Sequence, residues 1–192
     1  MIGSSMIEDG PLDAAQLLAL FHELSDRLEN RGQQAQLFVV GGAAMALEYD
    51  GKRVTRDVDA VFAPTSAVRE IAAELGDLYG LEADWINDAA KGFLPGQDED
   101  ARTVFDSESL LVQVASPQYL LAMKLHAARG ERDLSDAATL YNVAGYTTAE
   151  EGAALLSRTY PVEQLLPRHR YIVDDVAHRA SQQRALPDSF TP

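Results

Sequence analysis

The sequence predicts an α/β protein of the α+β kind. A small mixed sheet and its helices occupy residues 1–115, a helical region packed on that core occupies 116–186, and 187–192 form a tail. Three observations predict this. Short apolar or alternating runs suited to strands occur only before Ser116: Leu37 to Val40, Asp57 to Phe62, Thr103 to Phe105 and Leu110 to Ala115. Between them, apolar residues recur three and four apart, the period of an amphipathic helix. After Ser116 the helical spacing continues and no strand-like run returns.

Taken in order, residues 1–11 read as a loose leader. From Asp13 to about Arg31, Leu17, Leu20, Phe21, Leu24 and Leu28 fall on one helical face, and Gly32 ends the helix. Leu37 to Val40 is short and β-rich enough for a buried strand. Gly41 and Gly42 break it, and Ala43 to Tyr49 follows with good helix formers. A basic, polar loop from Asp50 to Arg56 leads into Asp57-Val58-Asp59-Ala60-Val61-Phe62, whose alternation predicts a strand with both carboxylates on one face. Pro64 suits the first turn of a helix with Val68, Ile71, Ala72, Leu75 and Tyr79 as its stripe, stopped by Gly80. Residues 81–102 are mixed: apolar Trp85 and Ile86, one helical turn near Asn87 to Lys91, and a loop from Phe93 to Asp100 whose acids are expected in solvent. Two strands, Thr103 to Phe105 and Leu110 to Ala115, are joined by a turn at Asp106 to Ser109.

Ser116-Pro117 is a helix start, a capping serine followed by proline in the first turn. That helix is expected to reach about Arg129, with Gly130 breaking it. The next should begin near Asp133 and stop before Gly145. Thr148 and Glu151 have the spacing of a capping box. Pro161 and Pro167 bracket a short turn. Arg168 to about Arg184 forms the last helix, striped by Ile172, Val173, Val176, Ala177 and Ala180.

Composition narrows the function. With 192 residues, 46% of them hydrophobic, the chain can bury one sizeable core. No apolar run approaches the ~18 residues of a membrane span, the N-terminus has neither the basic nor the apolar region of a signal peptide, and there are no cysteines. A cytoplasmic protein without disulfides, thiolate metal sites or a membrane partner is expected. The formal charge of −14, from 30 acids against 16 lysines and arginines, argues against broad non-specific nucleic-acid binding. Residues 158–184 run the other way, with Arg158, Arg168, Arg170, Arg179 and Arg184 against three acids. Either they form a local basic patch or they are a solvated face laced by pairs such as Asp175–Arg179.

The chemistry is concentrated in residues 37–62. A Gly-Gly turn lets backbone approach a ligand closely, and the helix after it points free N–H groups at that ligand, which favours phosphate. Two acids at i and i+2 on a strand can hold a divalent cation, Mg²⁺ or Mn²⁺, in oxygen coordination. A phosphate cradle beside metal carboxylates suggests nucleotidyl transfer. The plainer reading is a tight turn with close helix packing and two solvated acids.

The form GGAAMAL…KRVTRDVDAVF resembles the signature of DNA polymerase beta-like nucleotidyltransferases, most closely the AbiEii/MenT branch of toxins from bacterial toxin–antitoxin systems. A second stretch, SPQYLLAMKLHAARGERDLSD, is similar to that branch's C-terminal motif through Lys124, Leu125, Arg129, Arg132, Asp133 and Asp136. The resemblance implies that Asp57 and Asp59 hold the metal and that Gly41 and Gly42 cradle an NTP flanked by Arg53, Thr55 and Arg56. It implies that Lys124 lies on the phosphates, near Gly42 in space, and that Asp133 joins the catalytic set. It implies the tRNA 3′ end as an acceptor and an antitoxin as a protein partner. Without the resemblance, Lys124 reads as a snorkelling surface lysine, and Asp133 and Asp136 as acids placed for the helix dipole. The third carboxylate that many such enzymes carry on a central strand is missing: Leu110 to Ala115 offers only Gln113, with Asp106 and Glu108 at its entry. Two alternatives stay open: transfer to a small molecule or protein, and a degenerate transferase acting as a binding partner.

Overall fold

The structure, a computed structural model, describes residues 10–185. The expectations for residues 1–9 and for the tail lie outside the described residues. The chain divides into two compact units, one within Met1–Leu94 and Glu99–Ala115, the other within Pro95–Asp98 and Ser116–Pro192.

The first unit is a five-stranded mixed sheet with helices. Helix α1 (Ala14–Asn30) starts on a capping box between Asp13 and Gln16 and buries Leu17, Leu20, Phe21, Leu24 and Leu28. Strand β1 (Ala35–Val39) lies centrally. It pairs antiparallel with β2 (Val58–Ala63) and parallel with β5 (Leu110–Val114). β4 (Arg102–Asp106) closes one edge antiparallel to β5, with a register shift between Thr103 and Phe105. β3 (Ile86–Asn87) closes the other edge parallel to β2. The inward residues of the three middle strands, Leu37, Val39, Val58, Ala60, Phe62, Val112 and Val114, are all buried. Helix α3 (Thr65–Tyr79) contributes Val68, Ile71, Ala72 and Leu75 to this core and ends on Gly80 in the left-handed region. Arg27 and Arg31 of α1 pair with Glu70 and Glu74 of α3.

Three details depart from the expectation. Helical bonding begins at Gly41 itself: α2 (Gly41–Ala44) runs straight into a π-helical turn, Met45–Tyr49. The Tyr49 hydroxyl donates to the Ala115 carbonyl at 2.7 Å. β3 is a strand the apolar pattern does not announce. Trp85 before it is fully buried and its indole N–H donates to the Ala72 carbonyl at 2.8 Å. The leader ends in structure, because Leu12 is fully buried and bridges Thr55.

The second unit is helical. Helix α4 (Pro117–Ala127) is capped by Ser116, whose hydroxyl accepts from Tyr119 N–H. Asp98, expected in solvent, instead takes the Ser116 amide at 2.6 Å and its hydroxyl at 2.9 Å, so it completes the cap. α4 stops at Ala127, two residues short of the expected end, because Ala128 leaves the helical region with ψ of 127°. Gly130 then caps α5 (Glu131–Val143) at its N-terminus and does not merely break α4. α6 (Ala149–Thr159) starts on the Thr148–Glu151 capping box. α7 (Arg168–Ala185) buries Val173, Val176 and Ala180, while Ile172 and Ala177 stay half-buried and His169 joins the buried set. No helix among the described residues is long and apolar enough to cross a membrane.

Candidate functional site

The first cluster forms where β1 turns into α2. The antiparallel register carries one residue past β1, so the Val40 N–H donates to the Asp59 carbonyl at 2.9 Å. The turn that follows is therefore laid against Asp59. Gly41 has φ of +67°, and a Cβ built on it would come within 2.7 Å of Asp59 Oδ2. No other residue fits both the backbone and the space. A Cβ on Gly42 would meet Thr55 Oγ1 at 2.9 Å and an Arg53 guanidinium nitrogen at 3.6 Å. The first amides of a helix have no carbonyl of their own helix to serve them, and they lie here beside a carboxylate-bearing strand.

Along β2, Val58, Ala60 and Phe62 point into the core while Asp59 and Val61 are half-buried on the outer face. Asp57, one residue before the strand, continues this alternation and is exposed. Thr55 is buried, and its hydroxyl donates towards Asp57, lying 3.0 Å from the backbone carbonyl and 3.3 Å from Oδ1. Arg53 is half-buried and donates to the Val54 carbonyl, and Arg56 is exposed. Gly41, Gly42, Arg53, Thr55, Asp57 and Asp59 thus converge on one turn of the first unit, with Arg56 on the loop between them.

Neither alternative source of a third carboxylate reaches this turn. β1 runs from Ala35, beside Leu110, to Val39, beside Val114. Asp106 and Glu108 precede Leu110, so they lie at the far end of the sheet from Gly41. Gln113 pairs with Phe38 on the outer face, but it is an uncharged amide. Among the described residues no three acidic or histidine side chains are grouped to hold a metal ion. Two carboxylates still fit Mg²⁺, which commonly takes one or two from protein and the rest of its octahedron from water and substrate phosphate.

The second cluster lies wholly in the helical unit. Lys124 Nζ donates to Asp133 Oδ1 at 2.8 Å and to Asp136 Oδ2 at 2.9 Å. The lysine and Asp136 are largely buried, with 14% and 7% of their side chains exposed, and Asp133 is more open at 36%. Burial alone would push the Lys124 ammonium down, but the hydrogen bonds and charges of the two carboxylates outweigh it and hold it above the usual lysine value. Burial likewise opposes the charge on Asp133, yet Lys124 and the Arg129 N–H hold it below the ordinary carboxylate range. The Arg129 amide reaches Asp133 Oδ2 at 3.2 Å across the break between α4 and α5. Lys124 is therefore no snorkelling surface lysine. Asp136, absent from the expected catalytic set, is its more buried partner. The spacing of Asp133 and Asp136 puts both on one face of α5, which was the available signal.

Arg129 and Arg132 flank this cluster. The basic side chains of α7 are partly spent within the unit: Arg179 pairs with Glu131 and, at 3.1 Å, with Asp175, while Arg184 bonds Asn142 and the Tyr146 carbonyl.

Residues 15–143 match the family described as a nucleotidyltransferase of unknown function (DUF6036). No curated protein and no solved structure matches the chain.

Proposed function

Because the chain belongs to this nucleotidyltransferase family, we propose that it transfers a nucleoside monophosphate from an NTP to an acceptor hydroxyl, as the toxin of a toxin–antitoxin pair whose acceptor is the tRNA 3′ end. In the transfer the acceptor oxygen bonds the α-phosphorus, the bond to pyrophosphate breaks, and the hydroxyl proton is released. The observation that carries this reading is the turn at Gly41. A backbone with no room for a side chain lies against the Asp59 carboxylate at the start of a helix. Such an arrangement suits a polyphosphate held by amides and a cation held by acids.

The roles follow from the residues. Asp57 and Asp59 hold Mg²⁺ or Mn²⁺, which supplies charge neutralisation for the phosphates and the leaving group. The amides after Val40 face the triphosphate, with Arg53, Thr55 and Arg56 beside it. Lys124, its position fixed by Asp133 and Asp136, is the cation assigned to the phosphates in this reading, and Arg129 and Arg132 are the groups assigned to an RNA end. An antitoxin is the expected protein partner.

A second reading keeps the chemistry with a small or protein acceptor. The net charge of −14 and the internal pairing of Arg179 favour it. Incubating labelled NTPs with tRNA, aminoglycosides and cell lysate separates the two. Label in the tRNA 3′ end, lost in Asp57→Ala along with growth arrest on expression, supports the first. Label only in small molecules or protein replaces it with the second, and no label in any acceptor sinks both.

A further inference from the structure

Thr55 sits at the junction of three parts of the first unit. Although its loop is charged and largely exposed, Thr55 is 6% exposed. Its backbone is pinned on both sides by Leu12, whose N–H donates to the Thr55 carbonyl at 2.6 Å and whose carbonyl accepts the Thr55 N–H at 2.9 Å. Leu12 is itself fully buried, so this bridge is anchored in the core. The hydroxyl touches the Gly-Gly turn on one side, within 2.9 Å of where a Gly42 Cβ would stand. On the other side it reaches the backbone oxygen and Oδ1 of Asp57.

We propose that Thr55 is a positioning residue for Asp57. Its hydroxyl holds one carboxylate oxygen and leaves Oδ2 directed at the divalent cation, and the Leu12 bridge holds the hydroxyl in place. The physical need is clear from Asp57 itself. It precedes the strand and is exposed, so nothing in the core restrains its rotamer, and ordering it on cation binding would cost side-chain entropy. A hydroxyl that holds the other carboxylate oxygen, Oδ1, removes part of that cost in advance. Groups that orient a metal ligand are typically worth 10–100-fold in metal affinity or activity. A neutral hydroxyl at 3.3 Å belongs at the low end, about tenfold.

This inference rests on Asp57 being a metal ligand, so the test separates the two. Mn²⁺ alone is titrated into the full chain and followed by water-proton relaxation, with circular dichroism melts as the check on folding. Thr55→Val keeps the shape and the Leu12 bridge but removes the hydroxyl. Its Mn²⁺ Kd should rise about tenfold. Thr55→Ser, which restores the hydroxyl, should stay within about twofold of wild type. Thr55→Ala serves as the second hydroxyl-free variant should the valine perturb folding, and it should show the same rise. Asp57→Asn should abolish binding. Wild-type affinity in the hydroxyl-free variants, or a loss in Thr55→Ser as large as in Thr55→Val, overturns the positioning role while leaving the metal assignment intact. A wild-type chain that binds no Mn²⁺, or an Asp57→Asn variant that binds it normally, overturns the metal assignment and the positioning role together.

Discussion

Lys124→Met is the most informative single change in the helical unit. The thioether keeps the stem and removes the ammonium, leaving Asp133 and Asp136 facing each other across the position of the lost charge. Lys124 and Asp136 are mostly buried, and removing one member of a buried ion pair costs about 3–5 kcal/mol. Asp133 is more open and its pairing is discounted by water. The expected loss is therefore about 3 kcal/mol, or about 6–12 °C in Tm for a chain of this size. The pH dependence follows from the directions of the two shifts. Lys124 is held above its ordinary value, so its contribution is complete below about pH 10 and fades only as the pH rises through the higher folded value. Asp133 is held below its ordinary value, so its contribution is complete above about pH 5 and fades as the pH falls through the lower folded value. The deficit of Lys124→Met should thus be present at pH 7 and smaller in acid, where protonation of Asp133 removes one of the two facing charges. Thermal melts at pH 7 and pH 3.5 measure it. Adding Asp136→Leu to Lys124→Met should recover at least half the loss, because the stranded charge is gone. An unchanged Tm at pH 7, or a deficit equally large in acid, would refute this account of the triad.

Three further outcomes test the first unit. Asp57→Asn and Asp59→Asn should each lower nucleotidyl transfer by on the order of 100-fold. Their melting temperatures should hold or rise slightly as like-charge repulsion is relieved, and unaltered transfer of labelled NTP in either variant would defeat the assignment. Gly41→Ala forces a side chain into φ of +67° and against Asp59. Urea denaturation should show a loss of about 1–2 kcal/mol, and an isostable variant would mean that the turn relaxes freely. Trp85→Phe removes the indole donor to the Ala72 carbonyl in the core. It should cost about 1–3 kcal/mol, read from the same denaturation curves.

The parts of the fold that could be read from sequence are those where one rule dominates locally. Leu17 to Leu28 sit at helical spacing between Asp13 and Gly32, and α1 forms there with its capping box. Ser116-Pro117 and Thr148–Glu151 mark starts that hydrogen bonding alone explains. What could not be read depends on partners distant in sequence. β3 is two residues long, and no period can be seen in two residues. It is a strand because Trp85 fills the core beside α3 and directs the next residues along β2. Leu12 stands alone among polar and turn residues, and only the fold supplies its bridge to Thr55. Asp98 looked like one of a run of solvated acids because its task, holding the Ser116 amide, lies 18 positions away.

The candidate site divides along the same line. The turn at Gly41 and the alternation through Asp57 and Asp59 are local patterns, and the structure builds both where the spacing puts them. The charge state around Lys124 is not local, and it changes what that lysine can do. From the residues alone Lys124 reads as a snorkelling surface lysine, and only the family resemblance puts it on a triphosphate. In the structure two of its three donors are already taken by carboxylates. A lysine so held has its charge largely compensated and its position fixed. One N–H is left over from these two bonds, and attraction at longer range is offset by the two carboxylates. In the proposed transfer its value would then lie in orientation rather than bulk electrostatics, which suits a group meeting one phosphate oxygen. Lys124→Arg separates these roles. The guanidinium preserves the charge but not the point geometry of the ammonium. It should keep most of the stability that Lys124→Met loses, yet lower kcat about as much as Lys124→Met does. If Lys124→Arg transfers nucleotide at the wild-type rate, orientation by the two carboxylates is not what makes Lys124 useful.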